Sequence, residues 1–218
     1  MNQPGQIHLG DIDASSALLR AVPRHPQLID PQHPLRAQVE AFISSRFLAV
    51  HQARITQFMP QLFAVFNNRG EVLAALGIRS ADSPLFLEYY LDQPIEQVLQ
   101  QHDIAHNQSV SREQIVEIGN LASIDRSASA RLFRFLASYL MRHGFQWASF
   151  TGCARLRAMF THAGIETVAL GTALQQKLPA HLRHWGRYYQ DNPCILAGRV
   201  SHGQLLIEPV STTEEAAA

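Results

Sequence analysis

The sequence predicts a single α/β (α+β) domain with a mixed central sheet flanked by helices, and two observations lead to this class. Strand, helix, strand, helix and strand patterns alternate over residues 114–170, which requires crossover connections and favours partly parallel pairing. Two closely spaced strand patterns at 62–78 favour antiparallel pairing. With 218 residues, 46% of them hydrophobic, the chain is long enough to bury one medium-sized core.

The amino-terminal segment is predicted to be an irregular arm. Residues 1–34 are rich in Pro and His and show no sustained hydrophobic period, with a short helix expected near 16–21. Apolar residues then recur at helical spacing over 35–53, which predicts an amphipathic helix. At the other end of the chain, residues 209–218 are predicted to be a disordered tail.

Strands and one helix are predicted between the first helix and residue 101. Residues 62–66 and 72–78 have the pattern of two strands, and the Asn-Asn-Arg-Gly sequence at 67–70 is typical of the turn that joins them. Residues 85–91 are predicted to form a further strand. Pro94 is expected to open a helix, because proline is tolerated in a first helical turn.

The carboxyl half is more regular. Residues 114–122 predict a strand, and Ser127 or Ser129 is expected to cap a helix that runs to His143 and stops at Gly144. The remaining predicted elements are a strand over 147–151, a helix over 155–163 ended by Gly164, a strand over 166–170, and a hairpin of 194–200 with 204–207.

Composition and charge exclude several classes of protein. Eighteen basic residues balance eighteen acidic ones, which argues against a chain that coats nucleic acid. Two cysteines make neither a disulfide framework nor a cysteine-only zinc site, the eleven histidines form no metal-binding pattern, and a cytoplasmic location is expected. The start of the chain lacks a secretory-signal pattern, and no segment has the roughly 20 apolar residues that span a bilayer. Peripheral contact with a membrane stays open.

The segment 115–134 contains the residues most suggestive of chemistry. A predicted strand there carries Glu117, Gly119 and Asn120, and a loop rich in Arg and Ser then leads into a helix amino terminus. Such a terminus favours anions, so the phosphate of phosphopantetheine or a pyrophosphate would suit it. The residues that would add donors and charge are Arg126, Ser127, Ser129 and Arg131. Alternatively, the serines merely cap the helix and the arginines are solvated.

Charge is segregated along the chain. Residues 126–165 contain six arginines and no Asp or Glu. Helical spacing places Arg131, Arg134, Ser138 and Arg142 on one face, which would suit an acidic partner or ligand. The alternative is an ordinary solvated helix face.

Glu117 is the predicted general base. Strand alternation places Glu117 and Gly119 on one face of the strand and Ile118 and Asn120 on the other. A carboxylate flanked by Val116 and Ile118 in a central strand is costly to bury unless it has a purpose or a partner. We expect it to accept a proton from an attacking amine, with an ion pair to an arginine as the alternative.

Four motifs resemble one known family. They are EIGNLAS (117–123), RLFRFLASYL (131–140), WASFTGCARLRAMF (147–160), and WGRYY with the downstream NPCILAG (185–198). Together they are similar to the thermostable hemolysin family. That family resembles the Gcn5-related (GNAT) acyltransferases and, more distantly, the acyl-homoserine lactone and N-acyl amino acid synthases. The resemblance implies one GNAT-like acyltransferase domain over 35–208.

The resemblance also implies where a thioester donor binds. In the acyltransferase fold, the donor's pyrophosphate lies at the loop between the fourth strand and the following helix, which here is Asp125–Arg131. This chain has Ser and Ala where that loop usually carries Gly. An acidic acyl carrier protein, which bears phosphopantetheine, suits the arginine-rich helix at least as well as coenzyme A. The implied donor-binding residues are Leu121, Ala122, Arg126, Ser127, Ala128, Ser129, Ala130 and Arg131.

A second departure from the superfamily concerns the general acid. Many of these enzymes use a Tyr four residues before a Gly to protonate the departing thiolate, and the matching residue here is Phe160. Tyr188 is the substitute we select, and the predicted catalytic residues are therefore Glu117, Asn120 and Tyr188. Other candidates for the acid are Tyr189, Thr151 and Cys153.

The sequence thus predicts an acyltransferase with no covalently bound cofactor. An acyl group would move from acyl carrier protein or coenzyme A to the amine or hydroxyl of a small-molecule acceptor, by direct attack in a ternary complex. The alternatives are a membrane-active, hemolysin-like protein and a non-catalytic acyl-binding module. We also expect a V-shaped opening in the sheet beside 117–122, where Gly119 and Asn120 would let neighbouring strands splay.

Overall fold

The structure is a computed structural model that describes residues 25–102, 109–162 and 164–206. Within these residues the chain forms a seven-stranded mixed sheet with α-helices on its faces. The strands are β1 (Gln27–Ile29), β2 (Gln61–Phe66), β3 (Val72–Ser80), β4 (Ile115–Ser123), β5 (Trp147–Gly152), β6 (Val168–Thr172) and β7 (Cys194–Arg199). The helices are α1 (Arg36–His51), α2 (Ile95–His102), α3 (Arg126–Arg142) and α4 (Ala154–His162).

The sheet has the order β1-β2-β3-β4-β5-β7-β6. Only the central pair, β4 and β5, is parallel, and the other adjacent pairs are antiparallel. The connection from β4 to β5 passes through α3, as parallel pairing requires. The predicted fold class is therefore confirmed, and the single parallel pair lies at the middle of the sheet.

Alternate residues of β4 contribute to hydrophobic clusters on opposite faces of the sheet. Ile115 packs with Leu87, Ile95 and Leu99 on one face. Val116 packs on the other face with three leucines of α3 that are spaced four residues apart, Leu132, Leu136 and Leu140. Burying each such leucine contributes about 1.5–3 kcal/mol relative to leaving it exposed. Both faces of the central strand are thus covered, and none of the described helices is long and apolar enough to cross a membrane.

One predicted strand is wrong. Residues 85–91 contain a 3₁₀ helix, Phe86–Tyr90, in place of the expected strand. Two carboxylates take the N–H groups that a strand would have offered to a neighbour. The Glu88 carboxylate accepts from Leu85 N at 3.0 Å, and the Glu117 carboxylate accepts from Phe86 N at 2.7 Å. The rings of Phe86, Tyr89 and Tyr90 pack against one another within this turn.

Both ends of the predicted domain also differ from expectation. Residues 27–29 of the supposed irregular arm form β1, which pairs with β2. The expected carboxyl-terminal hairpin is absent from the described residues, since a 3₁₀ helix follows β7 at Val200–Leu206 and β7 pairs with β5 and β6. The predicted helix near 16–21 and the tail at 209–218 lie outside the described residues.

The turn that ends α3 follows the prediction, whereas the cap that begins it does not. Gly144 has φ +78°, a conformation that glycine adopts without steric cost. At the amino end the capping residue is Asp125, not Ser127 or Ser129, because the Asp125 side chain accepts from Ala128 N at 2.6 Å. Ser127 instead donates to the Asp125 carboxylate at 2.7 Å.

Candidate functional site

A cleft opens where β4 and β5 diverge. The two strands pair from Ile115 opposite Trp147 as far as Ile118 opposite Phe150 and not beyond. Past that point, backbone of both strands lines a cleft with a volume of about 1590 Å³, more than a drug-sized ligand needs. This is the V-shaped opening predicted beside 117–122.

A β-bulge at Asn120 fixes one wall of the cleft. The register between β3 and β4 shifts there, and Asn120 has φ +52°, a left-handed conformation that asparagine tolerates better than most residues. Its side-chain oxygen accepts from Met59 N at 2.7 Å, and its amide nitrogen lies 3.4 Å from Gln57 O. Asn120 therefore holds the irregular segment 53–59 beside the cleft. A direct catalytic role for Asn120 stays a prediction.

Glu117 lines the cleft from β4 with 3% of its surface exposed. Its two carboxylate oxygens accept hydrogen bonds from the 3₁₀ helix, from Phe86 N at 2.7 Å and from Leu87 N at 3.1 Å. Burial raises the pKa of Glu117 to about 7, although those two N–H groups and the nearby Arg79 act in the opposite direction. Among the described residues Glu117 forms no ion pair within 4 Å, so the alternative of a structural salt bridge is not what the structure contains.

The wall around Glu117 is aromatic and carries one cation. Arg79 is the cross-strand partner of Glu117 and also lines the cleft. The hydroxyls of Tyr90 and Tyr189 are 2.5 Å apart, and burial raises the pKa of both tyrosines, so both stay protonated at neutral pH. Trp185 completes this wall, with its ring centroid 5.6 Å from that of Phe86.

The opposite end of the cleft is apolar. Phe160, 8% exposed, packs edge-on against Phe133 at 5.7 Å between ring centroids and lies 5.1 Å from Phe150. A smaller apolar cavity of about 70 Å³ lies behind these rings, lined also by Ala137 and Ala148. Phe160 therefore serves as part of an apolar wall.

Tyr188 extends into the cleft from the segment after residue 180. Its hydroxyl donates to the carbonyl oxygen of Thr151, at the end of β5, over 3.1 Å. Burial raises the pKa of Tyr188, which keeps the hydroxyl protonated. The ring packs edge-on against His51 with 5.2 Å between centroids. The structure thus brings Tyr188 to the mouth of the gap between β4 and β5.

The predicted donor-binding residues divide into two groups. Those that line the cleft are Leu121, Arg126, Ser129 and Ala130. Those that do not are Ala122 and Ala128, both buried in the core, together with Ser127 and Arg131. The Asp125 carboxylate occupies the amino end of α3, where an anion was expected. The hydroxyl of Ser127 and the N–H of Ala128 hold the pKa of Asp125 below its usual value.

Sequence reasoning missed much of the cleft lining. The residues not singled out include His51, Arg54, Arg79, Phe86 and Tyr90. Of these five, Arg79 had a visible signal, since it directly follows the apolar stretch of the predicted strand at 72–78. The others reach the cleft through the packing of the 53–59 segment and the 3₁₀ helix. No group of His, Cys, Asp or Glu side chains in the described part of the chain is arranged to hold a metal ion.

Comparison with known proteins identifies the fold. The thermostable hemolysin family profile matches residues 29–204, and no curated protein matches the chain. The solved structures it resembles include the acyl-homoserine lactone synthase LasI, with a TM-score of 0.58 at 12% identity over 84% of this chain and 93% of LasI. BjaI, a coenzyme A-dependent acyl-homoserine lactone synthase, gives 0.55 at 12% identity over 84% and 87%. FeeM, an N-acyl amino acid synthase from uncultured soil microbes, gives 0.53 at 12% identity over 82% and 97%. At this identity the likeness shows the fold alone, which is the GNAT-like fold that the sequence predicted.

Proposed function

We propose that this chain, which belongs to the thermostable hemolysin family, is an acyltransferase that moves an acyl group from a thioester to an amine or hydroxyl acceptor. One observation carries the proposal. A buried carboxylate, Glu117, is held by two backbone N–H groups beside the gap between β4 and β5, and its pKa is about 7. A general base works best when its pKa lies near the working pH.

In the proposed reaction the acceptor attacks the thioester directly. The attacking nitrogen or oxygen forms a bond to the carbonyl carbon, and the carbon–sulfur bond breaks with departure of the thiolate. Glu117 accepts the proton that the acceptor loses. Phe86 N–H and Leu87 N–H fix the orientation of the carboxylate throughout, so little reorganisation is needed when the proton moves.

The free edge of β4 is the proposed site for the donor's arm. Gly119–Leu121 pair with none of the described strands on the β5 side, so their backbone groups on that edge face the cleft. A pantetheine arm contains two amides that can pair with such an edge as a short extra strand would. An N–H group of the same edge would stabilise the oxyanion that develops on the thioester carbonyl.

Tyr188 is the proposed proton donor to the departing thiolate. Its hydroxyl lies at the end of β5, on the side of the gap opposite β4, and stays protonated at neutral pH. Phe160 has no proton to give. Because a thiolate is a tolerable leaving group, Tyr188 is expected to assist the reaction and not to be indispensable.

The acyl chain is proposed to lie against the three phenylalanines at the apolar end of the cleft. Phe133, Phe150 and Phe160 offer a continuous apolar surface, and the small cavity behind them offers further room if their rings move. A medium or long chain would bury more of this surface than an acetyl group and gain about 0.8 kcal/mol for each buried CH₂.

For the acceptor, we propose an amine that also carries an anionic group. Arg79 lies beside Glu117, and in the described part of the chain its guanidinium makes one long hydrogen bond, to Pro84 O at 3.5 Å, and no ion pair within 4 Å. The guanidinium is therefore available to a carboxylate while Glu117 faces the amine. The likeness to FeeM, which is an N-acyl amino acid synthase, supports the same class of acceptor.

The proposal is tested by incubating the purified protein with acyl thioesters of several chain lengths and a panel of amines and amino acids. Thiol release gives the rate, and mass spectrometry identifies the N-acyl or O-acyl product. We expect Glu117→Gln to lower the rate by about 10²–10⁴. Glu166→Gln makes the same chemical change at an exposed position outside the cleft and is expected to retain the wild-type rate. Absence of any acyl product across the panel would contradict the proposal.

Phe160 favours one alternative, a non-catalytic acyl-binding module. The phenylalanine at the acid position removes a group that many enzymes of this fold use. Such a module would bind acyl thioesters tightly and release no thiol. The same incubation separates the two functions, because binding without turnover supports only the module.

A further inference from the structure

We infer that the acyl donor is presented by an acidic acyl carrier protein, which docks at the amino end of α3 and the adjoining face of α4, and that Asp125 disfavours free coenzyme A thioesters. The inference rests on the proposed function and deepens it by naming the donor's carrier. Its two supports are the carboxylate that caps α3 and the distribution of exposed arginines.

The first support is the occupied amino end of α3. A helix amino terminus binds phosphate through unpaired N–H groups and a positive dipole end. Here the Asp125 carboxylate accepts from Ala128 N at 2.6 Å and from the Ser127 hydroxyl at 2.7 Å. Ser129 N donates to Asp125 O at 3.1 Å. Two of the groups that a pyrophosphate could use, the Ala128 N–H and the Ser127 hydroxyl, are thus engaged by a side chain that carries a negative charge itself.

Coenzyme A and the carrier-linked arm differ most in the charge that each would bring to the amino end of α3. Coenzyme A carries a pyrophosphate and a further 3′-phosphate, whereas the arm on a carrier protein ends in one phosphodiester. A fixed carboxylate therefore repels coenzyme A more strongly than it repels the protein-linked arm. The carrier protein also brings acidic side chains of its own, which need cations elsewhere on the surface.

The second support is a set of exposed arginines on α3 and α4. Arg126 and Arg134 line the cleft from α3, and Arg157 is exposed on α4. Among the described residues none of these three forms an ion pair with a carboxylate. The segment 126–165 contains no acidic residue that would compete for them. This arrangement is complementary to an acidic protein surface.

Exposed apolar side chains lie close to these arginines along the chain. Met159 on α4 lines the cleft and is 43% exposed, and Ile124, which precedes the cap of α3, is 58% exposed. A docking surface commonly combines a few apolar contacts with surrounding charge. The adenine nucleotide of coenzyme A is too small to contact the whole of this surface.

Binding measurements on the full chain test the inference apart from turnover. The probes are decanoyl-loaded acyl carrier protein of fatty-acid synthesis and decanoyl-coenzyme A, titrated by calorimetry at low and at physiological salt. We expect tighter binding of the carrier protein, weakened at least tenfold by Arg126→Glu with Arg134→Glu and weakened by salt. Arg69→Glu, at an exposed position of the turn between β2 and β3 and outside the cleft, is the matched control and is expected to bind like wild type.

Asp125→Asn tests the selectivity directly. Asparagine caps a helix as well as aspartate does, so the variant removes the charge and keeps the cap. Coenzyme A thioester binding is expected to tighten about tenfold, with a much smaller change for the carrier protein. Asp30→Asn makes the same charge change at an exposed residue outside the cleft and is expected to leave both affinities unchanged.

Two results would overturn the inference. One is wild-type protein that binds decanoyl-coenzyme A as tightly as the loaded carrier protein. The other is affinity for the carrier protein that is indifferent both to the paired arginine substitutions and to salt. Selective carrier binding with no acyl product from any acceptor would instead support this inference and contradict the proposed catalysis.

Discussion

At the scale of single residues, opposing physical effects set the pKa of Glu117. Burial favours the neutral carboxyl, whereas the N–H groups of Phe86 and Leu87 and the charge of Arg79 favour the carboxylate. The result is a pKa of about 7, well above the ordinary value of 4.5. A carboxylate in this condition is both a competent base near neutral pH and a source of pH-dependent stability.

The raised pKa of Glu117 predicts a pH dependence of folding stability. The folded pKa lies above the unfolded one, so the stabilisation from the protonated carboxyl is complete below about pH 4.5 and is lost as pH rises through about 7. Glu117→Gln does not titrate. The unfolding free energy of wild type should therefore fall relative to Glu117→Gln by up to about 3 kcal/mol across this window.

Urea denaturation at a series of pH values measures this difference. The absolute stability of the Gln variant is also affected by the hydrogen bond it cannot make to one N–H group, and for that reason the slope with pH is the informative quantity. The curve of Glu166→Gln is expected to run parallel to wild type. Parallel curves for wild type and Glu117→Gln would show that the carboxylate is ionised throughout.

Tyr188 is predicted to matter only when the leaving thiolate needs a proton. Tyr188→Phe removes the hydroxyl that lies 3.1 Å from Thr151 O and should lower transfer from an alkyl thioester about tenfold or more. An aryl thioester releases a less basic thiolate, so the same substitution should have little effect on its transfer. Tyr189→Phe, whose hydroxyl pairs with Tyr90, is the control and should not show this dependence on leaving group. Equal losses with both thioesters would assign Tyr188 a purely structural role.

At the scale of elements, the cleft depends on how closely the 53–59 segment approaches the sheet. Met59 lies over Gly77 of β3 and Gly119 of β4, and its N–H is held by the Asn120 side chain. A Cβ at Gly77 would overlap the Cβ of Met59, which is fixed by the backbone. A Cβ at Gly119 would lie 2.5 Å from Met59 Cε, the movable end of the side chain.

This difference predicts that Gly77→Ala is the more damaging of the two alanine substitutions. We expect Gly77→Ala to lower the free energy of unfolding by about 1–3 kcal/mol, as overpacking in a close-packed core does. Gly119→Ala should cost less, because the Met59 methyl can turn away. Thermal or chemical denaturation compares the two, and equal destabilisation would mean that the segment shifts as a unit.

Elements whose signals are local were predictable from the sequence. The alternation in β4, the apolar face of α3 and the glycine at 144 all appear where the pattern places them. The divergence of β4 and β5 was also expected from Gly119 and Asn120. In each case the deciding interactions are between residues close in the sequence, or depend only on which face of a strand is buried.

Elements decided by distant partners were not predictable. Residues 85–91 have the aromatic content of a strand, and they form a 3₁₀ helix because Glu117, some thirty residues away, takes two of their N–H groups. Asp125 caps α3 where Ser127 and Ser129 are equally good caps by residue type. The cleft lining was not predicted for the same reason, since Arg79 and Tyr90 reach Glu117 only through the tertiary fold.

At the scale of the whole molecule, the cleft separates two chemically different ends. One end gathers Glu117, Arg79 and the tyrosine pair, and the other presents phenylalanine rings and the arginines of α3. The chain has no net charge, yet arginines are the only Asp, Glu, Lys or Arg residues among the forty at 126–165. The parallel pair β4 and β5, at the middle of an otherwise antiparallel sheet, diverges to form the gap between these two ends. We expect the thioester carbonyl to lie in this gap, between Glu117 and the phenylalanine rings.

Glu117 is proposed to act as a base on an acceptor bound in this cleft. The most direct test is the dependence of kcat/KM on pH for wild type and Glu117→Gln, with one thioester and one amine chosen from the productive pairs. The wild-type rate is expected to rise through about pH 7 as Glu117 loses its proton, and the Gln variant should be slower by about 10²–10⁴ with that rise abolished. A Glu117→Gln variant that keeps both the wild-type rate and the wild-type profile would contradict the account.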